Sequence, residues 1–220
     1  MCGRYALHAS PEVIALQFGL AEPPALQPSY NICPGTELLV VRAERDGRRS
    51  AEPRRWGLVP AWAKDPAIGH KLANARGETV AEKPAFRSAF RFSRCLVPAS
   101  GFYEWKTVAG RKLPYYIRPA DEQLFALAGL CERWQGPQGE LRTVSLITTE
   151  PNALMADIHD RMPVLVPPER YAEWLDPHNR DGARLQAFLA PYPPERMRAH
   201  PVSTRVNRPQ HDDAALIEPV

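Results

Sequence analysis

Proline is the residue that most narrows what this chain can become: it fills 24 of the 220 positions. It fixes φ and offers no backbone N–H, so it interrupts helix interiors and is kept out of the middle of sheets. A helical bundle is therefore disfavoured, and short strands and short helices joined by turns remain. The length suits one domain over residues 1–220 and is ample for a core. Hydrophobic residues at 44% and charged residues at 24% exclude the disordered and membrane classes. Nowhere does an apolar run approach the roughly 18 residues of a membrane span. The N-terminus lacks the basic-then-apolar order of a secretory signal. Cys2, Cys33, Cys95 and Cys131 show no CxxC pair and no metal-type spacing to the six histidines. Free thiols in a reducing cytoplasm are expected, with no metal and no cofactor.

Turn signals and alternation divide the chain. Arg4 to Leu7 reads as a short strand. Ser10 caps a helix that begins at Pro11 and stops at Gly19. The segment from Tyr30 to Gly35 reads as a turn, and Leu38 to Arg42 as a strand closed by an Asp46-Gly47 turn. A strand is expected from Arg54 to Pro60, an irregular loop from Ala61 to Leu72, and a helix from Asn74 to about Phe90. Further strands are expected at 94–98, 101–106, 113–118, 124–130, 142–149 and 164–166. Short helices are expected at 151–158, 168–175 and 182–189, with extended chain at Val202 to Thr204 and in the last residues. This pattern predicts an α+β fold: a single domain with an antiparallel, barrel-like β core and peripheral helices.

A few residues stand outside that structural logic. Cys2 follows the initiator methionine, which is readily removed before a small side chain. The exposed terminus would then carry a thiol titrating near about 8.5 and an amine near about 7.7–8.0 on one residue. Together they can attack an acyl carbon, or close a thiazolidine ring on an aldehyde; the plain alternative is a mobile terminus. Asn74 is either a helix cap or a site residue. Glu104 alternates with Phe102 and Lys106 on one strand face. If that face is the core, its carboxyl has a raised pKa suited to proton transfer; if wet, it pairs with a cation. His159, between Asp157 and Asp160, is either a proton carrier or a hydrogen-bonded structural residue. Arg4, Arg76 and Arg161 each lie within two residues of one of these candidates and suit an anionic substrate. Trp62 is either a core plug or a platform for a base. A net charge of +3 adds little, and the preference for arginine over lysine fits phosphate recognition or mere codon bias.

Seven blocks in order carry a resemblance: Met1 to Tyr5, Tyr30 to Gly35, Trp56 to Trp62, Asn74 to Thr79, Cys95 to Lys106, Ile158 to Pro163, and His200 to Ser203. Together they closely resemble the SOS-response-associated peptidase (SRAP) family, the abasic-site processing proteins. The resemblance implies a compact barrel-like domain with a positive groove for single-stranded DNA. It implies that the mature N-terminal Cys2 bonds to the aldehyde of an abasic site as a stable thiazolidine. It further implies that Asn74, Glu104 and His159 surround that cysteine, that Arg4, Arg76 and Arg161 hold phosphates, and that the residue ahead of the cysteine is removed autoproteolytically. The implied partner is single-stranded DNA containing abasic sites, with single/double-strand junctions left open, bound by a monomer associated with the nucleoid. Two positions depart from the family pattern. Ala63 stands where a second aromatic is common, and Cys33 where alanine is. An N-terminal-nucleophile amidohydrolase, which also starts Met-Cys-Gly, and a non-covalent single-strand binder are the competing readings.

Overall fold

The computed structural model describes residues 2–44, 46–121 and 123–220. Met1, whose removal matters to the reading of Cys2, lies outside the described residues. Twelve strands are present among them: β1 (Tyr5–Leu7), β2 (Ser29–Ile32), β3 (Glu37–Ala43), β4 (Arg49–Trp56), β5 (Asn74–Arg76), β6 (Arg94–Ala99), β7 (Gly101–Val108), β8 (Arg111–Pro119), β9 (Phe125–Gly136), β10 (Gly139–Thr149), β11 (Met162–Pro163) and β12 (Met197–Pro201). The helices are α1 (Pro11–Phe18), α2 (Arg87–Phe92), α3 (Ala153–Ala156), α4 (Tyr171–Leu175) and α5 (Gly182–Gln186). No helix among the described residues is long and apolar enough to cross a membrane.

Strands β10, β4, β3, β6 and β9 form a closed barrel, because β9 pairs back onto β10. Neighbours in a ring can alternate direction all the way round only if the strand number is even. Five strands therefore force one parallel seam, and it lies between β4 and β10, at Arg55 beside Thr143 and Trp56 beside Val144. The core is thus the expected barrel, antiparallel at every pairing except this seam. A second sheet, ordered β12-β8-β7-β1-β2, is joined to the barrel by one large apolar cluster that runs from Cys2 to Met197.

The strand prolines explain how so proline-rich a chain builds sheets. Pro53, Pro98, Pro119 and Pro163 each sit in a strand, and each is paired on one side only. Pro53 faces Leu39 of β3, whereas the seam to β10 begins at Arg55. Pro98 faces Ala126 of β9, whereas β3 meets β6 at Val41 and Leu96. A residue with a single ladder can spare its N–H, which is where proline is tolerated.

Several expectations shift. Helix α1 has the expected ends: the Ser10 hydroxyl accepts from Val13 N–H, and Gly19 is left-handed at φ 65°. Tyr30 and its neighbours belong to strand β2 rather than a turn. β4 begins five residues before the expected Arg54, paired to β3 through the Asp46-Gly47 turn. The expected irregular loop contains a 3-10 helix, Pro66–Lys71, capped by the Asp65 carboxylate. The helix expected from Asn74 is absent: Asn74 opens strand β5, and helix appears only at Arg87. After β12, Val202 pairs with Pro219 in an antiparallel bridge, as the extended ends expected there require, and short 3-10 helices at Thr204–Asn207 and Ala214–Ile217 lie between.

Candidate functional site

Register places Cys2. β1 runs antiparallel to β7, with Tyr5 opposite Phe102 and Ala6 opposite Gly101. The ladder continues through Tyr103 N–H, which donates to the Arg4 carbonyl at 2.9 Å. Following β1 back toward the terminus therefore means following β7 forward, from Phe102 toward Glu104. Gly101 lets β7 lie against β8, because a Cβ there would come within 2.4 Å of the Tyr116 ring. Cys2 ends fully buried, with the Arg4 backbone N–H directed at its sulfur. Burial first, and then the Glu104 carboxylate, push the Cys2 thiol far above the ordinary thiol range. Held this way it is a neutral thiol that needs a base to become a nucleophile.

Asn74 arrives from the other sheet. β5 runs parallel to β10, with Asn74 opposite Leu146 and Arg76 opposite Thr148. The Trp56 indole N–H donates to the carbonyl of Ala73 at 2.9 Å, and the Tyr5 ring packs edge-on against Trp56 at 5.7 Å. Asn74 Nδ2 then donates to the Cys2 carbonyl at 2.9 Å, which fixes the cysteine backbone and answers the alternative of a helix cap. Asn74 Oδ1 and the Tyr5 hydroxyl are buried without a hydrogen-bond partner among the described residues.

Glu104 is 1% exposed, and burial lifts its carboxyl to about 7. His159 Nε2 lies 3.7 Å from Glu104 Oε2. The Arg161 backbone N–H donates to His159 Nδ1 at 3.0 Å, so the neutral ring carries its proton on Nε2, facing Glu104. The exposed Asp160 carboxylate, also 3.0 Å from Nδ1, would favour the charged ring. Burial prevails and holds the histidine below its ordinary pKa. Cys2, Asn74, Glu104 and His159 thus converge from β1, β5, β7 and the turn before β11.

The cationic candidates divide. Arg4 Nη1 is committed to Asn31 Oδ1 and the Val206 carbonyl, both at 2.7 Å. Arg161 grips Glu78 with both arms, at 2.6 and 2.9 Å, and the Thr148 carbonyl at 2.8 Å. Arg76 is exposed. It shares a cleft of about 510 Å3 with Trp62, Lys71, Asn74, Lys83 and Phe86. Trp62 is 61% exposed, so it is no core plug. Lys71 and Lys83 were missed in the sequence because no motif surrounds them. The Asp65-Pro66 pair, a capped helix start, was the one local signal that Lys71 lies on an ordered element.

Fold and site define a closed five-stranded β-barrel protein organised around a buried cysteine at its second residue. The model of the SOS response associated peptidase (SRAP) family matches residues 1–209, and the chain belongs to that family. It is 44% identical over 223 residues to abasic site processing protein YoqW of Bacillus subtilis, covering 99% of each chain. It is 31% identical to abasic site processing protein YedK of Escherichia coli, covering both chains fully. Among solved structures, a protein from Bacteroides thetaiotaomicron superposes with a TM-score of 0.90 at 27% identity over both full chains.

Proposed function

We propose that this chain is an abasic-site processing protein that captures the lesion covalently in single-stranded DNA through a mature N-terminal Cys2. The whole chain acts as one domain in this reading. The observation that carries it is the convergence of a buried thiol, a carboxyl titrating near neutrality and a neutral histidine on one residue next to the terminus.

Loss of Met1 frees the Cys2 amine, which adds to the ring-opened aldehyde of the abasic sugar. The resulting carbinolamine must lose water. Protonated Glu104 gives its proton to the departing hydroxyl, leaving an iminium ion and a carboxylate. That carboxylate takes the thiol proton, and the sulfur closes on the iminium carbon to form the thiazolidine. One water leaves and Glu104 is reprotonated. A carboxyl near 7 is populated in both forms at neutral pH, as such a cycle requires. His159, with Nε2 toward Glu104, holds that carboxyl in place and relays its proton. Asn74 orients the cysteine backbone through Nδ2 and offers Oδ1 to the amine or the carbinolamine hydroxyl. The same machinery supports removal of the residue ahead of Cys2, with the thiol attacking the preceding carbonyl.

The DNA strand is assigned to the cleft beside Asn74, with Arg76, Lys71 and Lys83 meeting phosphates and Trp62 stacking on a base. Arg161 joins them by exchanging Glu78 for a phosphate, and Arg4 by exchanging Asn31. Incubation with an abasic single-stranded oligonucleotide should give an adduct that survives denaturing electrophoresis, together with the intact mass expected after loss of Met1 and one water. An equal adduct from Cys2→Ala would overturn this reading. An adduct that persists when an alanine is inserted ahead of Cys2 and retained would overturn the thiazolidine specifically.

A further inference from the structure

Strands β6 and β9 carry none of the residues around Cys2, yet they bring two other cysteines together. Cys95 on β6 faces Gly129 on β9, and Cys131 N–H donates to the Ser93 carbonyl at 2.8 Å, so the two lie on a diagonal of one ladder. A Cβ at Gly129 would stand 2.6 Å from Cys95 Sγ, so the glycine makes room for that sulfur. The two thiols are hydrogen-bonded to each other. Cys95 is fully buried, whereas Cys131 lines a pocket of about 140 Å3 with Arg42, Arg54, Ser93, Glu132 and Arg133.

The pocket is electropositive by construction. Glu52 is shared by three guanidiniums: Arg54 at 2.5 Å, Arg142 at 2.7 Å and Arg42 at 3.6 Å. Arg142 is also held by Glu140 at 2.7 Å, which leaves Glu52 as the carboxylate that Arg54 and Arg42 share. Arg54 is 1% exposed, and Arg42 Nε is buried without a hydrogen-bond partner among the described residues. Burial opposes a thiolate at Cys131, but the Cys95 S–H hydrogen bond and the charges of Arg54 and Arg42 outweigh it, even against Glu52. Cys95, giving its proton to that bond, is pushed the other way. A thiolate beside arginines, reached through a small polar opening, is the setting in which cysteine oxidation is selective.

We propose that Cys131 is a modification site: a cysteine whose sulfur small hydroperoxides oxidise through the Arg42–Arg54 pocket, with Cys95 as its resolving thiol. The sulfur attacks the peroxide, an S–O bond forms and the O–O bond breaks. The departing alkoxide or hydroxide takes a proton from water. Cys131 becomes a sulfenic acid, oxidised by two electrons, and the peroxide is reduced by the same two. Attack by the Cys95 sulfur then forms an S–S bond, breaks the S–O bond and releases water. A small external thiol reverses both products.

The test uses the full chain carrying Cys2→Ala and Cys33→Ser, so that two thiols remain and the outcome is independent of the Cys2 reading. The folded protein is treated with graded hydrogen peroxide, quenched with dimedone and mapped by peptide mass. Cys131 should carry the dimedone adduct or be bridged to Cys95, at least about tenfold faster than Cys95 is modified alone. Adding Cys95→Ala should remove the bridge and leave the Cys131 adduct. Adding Arg42→Gln, whose side chain is partly exposed, should slow the oxidation about threefold. Modification of Cys95 first, or reaction only in denaturant, would overturn the proposal. Should a variant fail to fold, the order in which Cys131 and Cys95 are labelled in the unmutated chain separates the same two outcomes.

Discussion

At the scale of single residues, Glu104 concentrates the tension between stability and chemistry. Its carboxyl titrates at about 7 in the fold, against an ordinary 4.5, because burial disfavours the charge. A raised pKa stabilises the fold fully below about pH 4.5, and the contribution is lost as pH rises through about 7. The shift corresponds to about 3 kcal/mol. Urea unfolding of the chain and of Glu104→Gln at both ends of this range should therefore show wild type losing about 3 kcal/mol relative to the variant. Parallel stabilities across the range would mean the carboxyl is solvated. Glu78 makes a second residue-scale case. It is half-exposed and holds Arg161 bidentately, so it competes with any phosphate for that fork. Exposed ion pairs contribute at most about 1 kcal/mol. Glu78→Gln should accordingly tighten single-stranded DNA binding about threefold in a fluorescence-anisotropy titration; unchanged or weaker binding would remove Arg161 from the DNA path.

At the scale of elements, the parts legible in the sequence are those with local signals. Helix α1 announces itself by Ser10, Pro11 and Gly19, whereas alternation with Phe102 leaves Glu104 either buried or wet, and the structure buries it. Asn74 could not be placed that way. Its strand has three residues, and its pairing runs to Leu146, more than seventy residues on, so nothing nearby distinguishes it from a cap. β4 was set too late because Arg49 to Arg55 look like surface rather than sheet, and only the ladder to β3 reveals them. The Pro66–Lys71 helix depends on another long-range contact. A Cβ on Gly57 would lie 2.7 Å from the Gly69 carbonyl oxygen, and one on Gly69 would lie 2.7 Å from that of Gly57. Gly57 also sits at φ 132°, a conformation that side chains avoid. Gly57→Ala should cost about 2 kcal/mol or more in thermal unfolding. It should also weaken DNA binding, since the displaced helix carries Lys71 along the cleft floor. Full stability in the alanine variant would show that the two backbones are not pinned together.

At the scale of the whole molecule, a net charge of +3 is too small to make the entire surface attractive to DNA. Several of the arginines are internally matched: Arg54 and Arg142 to Glu52, Arg161 to Glu78, Arg205 to Asp213. The unmatched charge that matters is local, where Arg76, Lys71 and Lys83 line one cleft beside Cys2 and Asn74. Counterion release turns that arrangement into a number. Each phosphate neutralised on a single strand contributes about −0.7 to the slope of log K against log salt, so the three cleft cations should contribute roughly −2 beyond whatever Arg4 and Arg161 add. Lys83→Gln, at an exposed position outside the barrel, should make the slope shallower by about 0.7 while leaving thermal stability unchanged. Gln replacement at exposed Arg184, which is paired to Asp181 on α5 and lies outside the cleft, should leave the slope alone. If the distant substitution shifts the slope as much as Lys83→Gln does, the strand follows the general surface charge. If only the cleft substitution shifts it, the same groove that presents Cys2 also holds the backbone of its substrate.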